Sequence, residues 1–298
     1  MMRVIILGSA AGGGVPQWNS GGLSCVSARS GKILPRTQCS LAVSADGERW
    51  VLINASPDLR HQVNATRALV PVTLRGSPIV AVVLTGGEID AIAGLLTMRE
   101  RHCFALHAAP QVLALLAANP IFSALAPSMV PRRAMALGEA FDLAGLRFEA
   151  FAVPGKVPLF AERDGADPGR ADDGETVGLA VSAGGGGSLV FIPGCAALDD
   201  AVRARIASAE LLMFDGTLFR DDEMILAGAG PKTGLRMGHM SLAGPDGTLA
   251  ALRDIAPRRR VLIHLNNTNP VLLPDSAERA QVEAEGWIVA EDGMEFSL

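Results

Sequence analysis

The order of strand-like and helix-like segments limits what this chain can fold into more than any other feature of its sequence. Each half begins with short apolar runs, such as the pair within 40–55 that flanks Asp46-Gly47, and these runs predict hairpins. Each half then changes to apolar strands that alternate with helical segments. The pattern predicts an α/β sandwich with two mixed sheets inside and helices outside. Because no linker or fixed-period repeat interrupts residues 1–298, we expect a single domain.

Local signals predict where several elements begin and end. Ser56 as N-cap, with Pro57 at the first helical position, predicts a helix over 57–69. Apolar spacing predicts one amphipathic helix over 88–100. The last segment, 287–298, predicts a hairpin that closes the chain.

Composition and charge argue against several classes of partner. The formal net charge is −5, with only 26 lysines and arginines, which argues against a nucleic-acid-binding surface. The apolar run at 4–7 is too short for a membrane span or a signal-peptide core. The four cysteines form no C-x-x-C pair, so neither a disulfide framework nor a zinc ribbon is predicted. We expect a soluble cytoplasmic protein with reduced thiols.

A glycine loop at 8–14, "GSAAGGG", follows the first predicted strand and raises the question of a dinucleotide site. The residues after it include Pro16 and have no helical periodicity, whereas a dinucleotide fingerprint must open a helix. A loop that lines a cleft is the better prediction.

Acidic residues stand where predicted strands end. Glu88 and Asp90 follow the strand "VVLTG" and can point into one cleft, although for an isolated acidic pair helix capping by Asp90 is favoured. Asp215 ends the strand "LLMFD", where α/β folds collect chemistry, but alone it could equally anchor a turn.

Histidine, amide and lysine side chains complete the list of candidates. His264 lies near the end of the apolar strand "VLIHL", and a satisfied core histidine is the usual explanation. The polar residues after it, including Asn266 and Asn267, indicate a lined cleft instead.

His239 lies in a glycine-flanked loop, and Lys156, held between prolines, could bind an anion or be solvated. By contrast, two further histidines that bracket a short strand of the first half, His102 and His107, are interpreted as structural.

Many separate motifs fall in register with one known family. In order they are "LGSAAGGGVPQWN", "LINASPDLR", "VPGKVP", "IPGCA", "FDGT", "RMGHM" and "IHLNNTNP", followed by the C-terminal "ERAQVEAEGWIVAEDGM". From about residue 3 to its end the chain resembles the pyrroloquinoline quinone (PQQ) biosynthesis protein B family. The resemblance implies the metallo-β-lactamase fold, a four-layer αββα sandwich.

This sequence departs from the metal-binding pattern that the resemblance implies. At the positions of the fold's H-x-H-x-D-H segment it has Gly86, Glu88, Asp90 and Ala91, so the first ligand and the final histidine are missing. Two further ligand positions of the wider fold align with Lys156 and Cys195.

A second departure concerns structural zinc. Where the family has three cysteines in the pattern C-x-C-x-x-C, this chain has Ser20, Gly22 and Cys25. One thiol cannot hold a tetrahedral zinc ion, so no structural zinc is expected there.

The resemblance implies iron-dependent hydroxylation of a tyrosine-derived precursor that has been cut from a peptide. The implied site is Glu88, Asp90, His239 and His264 as metal ligands, with Asp215 behind them, and with Lys156, Asn266 and Asn267 binding substrate carboxylates. Asp90, His239 and His264 would be the catalytic set. Iron binding is expected to be weakened by Ala91 and Gly86, unless the His239 loop reaches the site.

A second hypothesis stays open beside the oxygenase: a non-catalytic protein that binds or carries PQQ or its precursor, with a degenerate metal site. Plain hydrolysis is disfavoured because too few ligands remain for two bridged metal ions. The expected partners are the small-molecule precursor and other proteins of the PQQ pathway, with no nucleic acid and no membrane. Loop 161–175, rich in Asp and Gly, is a candidate lid or contact segment.

Overall fold

The computed structural model describes residues 1–156, 174–255 and 257–298, so the candidate lid at 161–175 lies almost entirely outside the described residues. Two seven-stranded sheets contain all the named strands. We call the segment that supplies β1–β6 (residues 3–134) the first half and the segment that supplies β7–β13 (residues 140–289) the second half.

The first sheet has the strand order β14-β1-β2-β3-β4-β5-β6. Strands β14, β1, β2 and β3 pair antiparallel, and β3, β4, β5 and β6 pair parallel. The strands are β1 (Arg3–Gly8), β2 (Ser40–Ser44), β3 (Trp50–Ile53), β4 (Ile79–Val83), β5 (Ala105–Ala108), β6 (Arg132–Ala134) and β14 (Glu295–Ser297).

The second sheet repeats this arrangement in the order β13-β12-β11-β10-β9-β8-β7. Strands β7 to β10 pair antiparallel, and β10 to β13 pair parallel. The strands are β7 (Ala140–Leu143), β8 (Leu146–Ala152), β9 (Val177–Ala183), β10 (Ser188–Ile192), β11 (Leu211–Asp215), β12 (Arg259–Ile263) and β13 (Trp287–Val289).

Helices cover the outer face of each sheet. They are α1 (Leu23–Arg29), α2 (Leu59–Ala65), α3 (Ile89–Ile92), α4 (Pro110–Ala118), α5 (Asp200–Ala207), α6 (Glu223–Leu226), α7 (Thr248–Ala251) and α8 (Ala277–Ala284). One apolar cluster, which includes Val51, Phe148 and Met213, fills the space between the sheets, and a separate cluster lies under the helices on each side. The predicted αββα sandwich is therefore confirmed.

The predicted helix over 57–69 is wrong in part, because Ser56 does not cap it and because α2 ends at Ala65, before a 3₁₀ helix, Arg67–Leu69. The Ser56 hydroxyl donates to Gln62 Oε1 at 3.0 Å and accepts from the backbone N–H of Asp58 at 3.2 Å. The helix α2 therefore begins at Leu59.

The predicted helix over 88–100 is also wrong in part, because α3 ends at Ile92 and a 3₁₀ helix, Ala93–Met98, follows. The cause is a close tertiary approach at Gly94, whose N–H donates to Ala55 O at 2.8 Å. A Cβ at Gly94 would lie 2.1 Å from Ser56 O, so only glycine fits there.

The predicted C-terminal hairpin is wrong, because β13 joins the second sheet and β14 joins the first. The chain crosses between the sheets at Asp292. The Asp292 carboxylate accepts from the N–H groups of Ser9 and Thr37 at 2.9 and 2.6 Å. These bonds tie the C-terminal crossing to two loops of the first half. The hairpin prediction at 40–55 is confirmed by the antiparallel pairing of β2 with β3.

No helix in the described part of the chain is both long and apolar enough to cross a bilayer.

Candidate metal centre

A cleft of about 800 Å³ opens where the parallel strands of both sheets end. The loops after β1, β3 and β4 form one wall, and the loops after β10, β11 and β12 form the other. The glycine loop contributes Gly12 and Gly13 to the lining, as predicted for a loop that borders a cleft.

Asp90 and His264 meet across this cleft. Asp90 Oδ2 lies 3.0 Å from His264 Nε2, and the two side chains are only 16% and 14% exposed. The alternative role of Asp90 as a helix cap is wrong, since the N-cap position of α3 is Glu88 and Asp90 lies within the first turn. Burial alone would raise the pKa of Asp90, but the hydrogen bond and charge of His264 lower it below its ordinary value.

His264 follows the end of β12 rather than lying within it. Its φ of 60° is in the left-handed region, which costs a non-glycine residue about 1–2 kcal/mol. The conformation is held through the next residue, because Leu265 N–H donates to Ser9 O at 2.9 Å. This turn directs the imidazole into the cleft. Burial would lower the pKa of His264, but Asp90 raises it above its ordinary value.

Asp215 ends β11 and is fully buried. Its Oδ2 accepts from Cys195 N–H at 2.9 Å and lies 2.8 Å from His239 Nδ1. Its Oδ1 accepts from the Thr217 N–H at 3.0 Å. Burial would raise the pKa of Asp215, but the neighbouring His239 lowers it, so we treat this carboxylate as ionised.

His239 reaches the cleft because of the turn before it. Gly238 has φ 85°, and a Cβ there would lie 2.9 Å from Lys156 Cγ, so this position requires glycine. The His239 ring stacks on the His264 ring, with centroids 5.2 Å apart. The loop therefore places a second imidazole beside the first.

Thr217 is the residue that the sequence analysis missed. Its Oγ1 lies 2.7 Å from Asp215 Oδ1, 3.1 Å from His239 Nδ1 and 2.8 Å from His264 Nδ1. A signal for it was present in the sequence, because a hydroxyl two residues after a strand-terminal aspartate is well placed to bond the same carboxylate.

Asp215, His239 and His264 could together hold a metal ion, since one ligand atom from each lies within 4.8 Å of the others. The Thr217 hydroxyl is within hydrogen-bonding distance of all three residues, however, and packs among them. The geometry favours a role for Asp215 in orienting His239, while Asp90 faces His264 from the cleft side.

Comparison with known proteins identifies the family. A family model described as "Beta-lactamase superfamily domain" matches residues 49–265. Coenzyme PQQ synthesis protein B of Xanthomonas euvesicatoria is 57% identical, and that of Methylorubrum extorquens is 52% identical, each over 100% of both chains. This chain belongs to the coenzyme PQQ synthesis protein B family. The resemblance predicted from the motifs is thus confirmed.

Solved structures agree with this assignment. The crystal structure of zinc-bound PqqB from Methylobacterium extorquens has a TM-score of 0.96 and 51% identity, over 99% of this chain and 100% of that one. A diphosphatase of the PhnP family has a TM-score of 0.70 at 20% identity, over 100% of this chain and 98% of that one, and this likeness shows the fold alone.

Two positions at which this member departs from the wider fold's metal ligands are joined to each other. Lys156 Nζ donates to Glu88 Oε1 at 2.9 Å, and the two side chains are 14% and 38% exposed. An ammonium and a carboxylate thus pair on the cleft wall. Cys195 contributes its backbone N–H to Asp215, and burial raises the pKa of its thiol, which therefore stays protonated.

The predicted substrate-binding amides have different surroundings. Asn266 lines the cleft, and its Nδ2 donates to Thr268 Oγ1 at 2.7 Å. Asn267 instead faces the N-terminal loop, where its Nδ2 donates to Gln17 Oε1 at 2.7 Å.

The region without the cysteine trio is held by hydrogen bonds in this family member. Ser20 Oγ lies 3.2 Å from Asn267 Oδ1, and the buried Cys25 Sγ lies 3.7 Å from the same oxygen. Gly22 is the N-cap of α1. That these residues hold no zinc stays a prediction, and metal analysis of a Cys25→Ser variant tests it.

Proposed function

We propose that this chain hydroxylates a small tyrosine-derived, peptide-cleaved precursor of PQQ at a mononuclear metal centre. Its membership of the coenzyme PQQ synthesis protein B family supports the pathway. The observation that carries the proposal is the meeting of Asp90 Oδ2 and His264 Nε2 at 3.0 Å, with His239 stacked on the same imidazole.

The donor types of Asp90, His239 and His264 suit a divalent cation with open positions; the described residues whose ligand atoms already lie within 4.8 Å of one another are Asp215, His239 and His264. One carboxylate and two imidazoles form the ligand set of non-haem Fe(II) oxygenases, and Zn²⁺ accepts the same donor types. In this proposal Asp90, His239 and His264 hold the ion. When bound, iron would supply the activation of dioxygen: one oxygen atom would enter a substrate C–H bond, and the other would leave as water with two electrons from an external reductant and two protons from solvent. Zinc, which the M. extorquens relative contains, is the expected competitor for the site.

Residues around the ion bind and orient the substrate. Lys156 is the proposed anchor for a substrate carboxylate, because a largely buried ammonium forms strong charge-assisted hydrogen bonds. Glu88 holds this ammonium in place, which we propose as its role instead of metal ligation. Asn266 borders the same cleft and offers its amide to a polar group of the substrate.

Anaerobic Fe(II) titration of the wild type, His264→Ala and His102→Ala tests the proposal. His102 lies outside the cleft lining, so His102→Ala is the matched loss of one imidazole. We expect wild type and His102→Ala to bind one ion alike, and His264→Ala to bind it more than about 100-fold more weakly, since loss of a mere supporting contact already costs about 10–100-fold. Admitting oxygen, reductant and precursor should then add one oxygen atom to the precursor.

Two results would overturn the hydroxylase. One is an equal affinity for Fe(II) in all three proteins. The other is tight binding of PQQ or its precursor by a wild type that takes up no metal, which would support the non-catalytic carrier.

A further inference from the structure

The hydrogen-bond network behind the two imidazoles determines which of their nitrogens carry protons. The starting point is Asp215, whose two carboxylate oxygens both act as acceptors, because Oδ2 accepts from the N–H of Cys195 at 2.9 Å and Oδ1 accepts from the N–H of Thr217 at 3.0 Å. Its Oδ2 lies 2.8 Å from His239 Nδ1, so that nitrogen must carry the hydrogen. The second nitrogen of a neutral His239, Nε2, then keeps a free lone pair.

Thr217 has one hydroxyl hydrogen and several neighbours that could accept it. Asp215 Oδ1 at 2.7 Å is the nearest and the only charged one, whereas His264 O lies at 3.0 Å and His264 Nδ1 at 2.8 Å. Hydrogen bonds to a charged acceptor are roughly twice as strong as neutral ones. The hydroxyl hydrogen therefore goes to Asp215, and Thr217 Oγ1 accepts from His264 Nδ1–H.

This assignment leaves His264 Nε2 without a hydrogen in the neutral ring. Nε2 then faces Asp90 Oδ2 at 3.0 Å, and two acceptors at that distance require a cation between them, either a metal ion or the proton of an imidazolium ring. The alternative is a buried histidine that needs no metal: Thr217 donates to His264 Nδ1, and Nε2–H donates to Asp90. The two arrangements differ in the direction of the hydrogen bond between Thr217 and His264 and, with it, in which nitrogen of His264 carries the hydrogen.

We infer that Thr217 is a positioning residue that fixes the tautomer of His264 through its hydroxyl, and so keeps His264 Nε2 open to a metal ion. The inference rests on the proposed metal centre for its consequence, but the tautomer itself can be measured separately. In this arrangement Asp215 and Thr217 form a relay of acceptors that holds the Nδ1 hydrogens of both imidazoles on the side away from the cleft.

Nitrogen-15 NMR of the histidine rings, in the zinc-loaded and in the metal-free protein, tests the inference. The chain has only five histidines, and His264→Ala and His239→Ala assign the two of interest. In the wild type we expect His264 Nδ1 to carry a hydrogen in both states, and the Nε2 signal to move on zinc binding. A neutral His264 with its hydrogen on Nε2 would overturn the inference, whether or not zinc binds.

Substitutions at Thr217 supply the second measurement. Thr217→Val removes the hydroxyl at nearly constant volume and should weaken Zn²⁺ binding by about 10–100-fold, whereas Thr217→Ser should restore it to within about 3-fold of wild type. Thr85→Val is the matched control, because the Thr85 hydroxyl is buried and bonds Asn54 instead of an imidazole. It should leave the His264 signals unchanged.

The outcomes separate the inference from the proposed function. If Thr217→Ser and Thr217→Val bind zinc equally weakly, Thr217 acts through packing and not through its hydroxyl, and the inference fails. If the wild-type tautomer is as expected but iron supports no hydroxylation, the proposed function fails and the inference stands. Should Thr217→Val not fold, the wild-type and Thr217→Ser spectra still decide.

Discussion

The two halves of the molecule have the same strand arrangement but contribute different chemistry to the cleft. Each half places antiparallel strands first and parallel strands after them, and each ends its parallel strands at the cleft. The first half contains His61, His102 and His107, yet within the described residues none of them lines the cleft. The second half contains only His239 and His264, and both line it.

The difference shows that a duplicated arrangement of strands does not require a duplicated site. The first half contributes the carboxylate of Asp90 and uses Glu88 to hold a lysine. The second half supplies both imidazoles and, in Asp215 and Thr217, the groups that orient them. In this structure the first half therefore provides the carboxylate that faces His264, and the second half provides both imidazoles.

The largest expected effect separates the two acidic residues of the first half. Asp90→Asn should weaken Fe(II) binding by more than about 100-fold, because a neutral amide replaces the anion that faces His264 Nε2. Glu88→Gln should change it by less than about 5-fold, because Glu88 bonds Lys156. Anaerobic titration of both variants measures this, and equal losses would show that both carboxylates hold the metal.

The next effect concerns the lysine that joins the two halves. Lys156→Ala should raise the KM for the precursor by about 10–100-fold, since a hydrogen bond to a charged group contributes about 1.5–3 kcal/mol. Iron affinity should stay near the wild-type value. Lys156→Arg keeps the charge and should recover part of the loss, whereas an unchanged KM in Lys156→Ala would remove Lys156 from substrate binding.

A smaller effect arises from a first-half histidine that is packed in the core. His107 is buried against Phe141, its Nε2 has no hydrogen-bond partner, and burial lowers its pKa to about 4. The unfolded chain, with a pKa of about 6.5, binds this proton more readily. The contribution of neutral His107 to stability is therefore present above about pH 6.5 and is lost as the pH falls toward 4, by about 1–3 kcal/mol.

Denaturant unfolding at pH 7.5 and pH 5 measures this loss. His107→Leu should make the stability less dependent on pH over that interval. His61→Leu, at an exposed position, is the control and should keep the wild-type dependence. If the wild type and His107→Leu lose the same stability, His107 does not carry the effect.

The smallest expected change in metal affinity comes from placing a histidine at position 91, where the metal-binding segment of the wider fold has one. Ala91→His should increase Fe(II) affinity by less than about 3-fold, because His239 already lies beside His264. Its larger effect should be a lower melting temperature, since Ala91 is packed against the apolar cluster under the helices of the first sheet. A gain of 100-fold in affinity would show that the natural site is degenerate and that His239 is no substitute.

Local patterns were enough for most of the fold. Short apolar runs predicted the strands, and the Asp46-Gly47 pair predicted the first hairpin, which the pairing of β2 with β3 confirms. These signals are carried by neighbouring residues, so they can be recognised along the chain. They failed where a distant segment intervened, as at Gly94, which lies against the backbone of Ala55.

The sequence by itself determined the strand and helix periodicity, the family and the types of side chain available for a site. Only the tertiary structure decided that Asp90 faces His264 instead of capping α3, and that the Thr217 hydroxyl lies beside both imidazoles. Asp90 and His264 are 174 residues apart in the chain. Such a contact depends on how both sheets pack and where their loops turn, and backbone and side-chain periodicity carry no information about that distance.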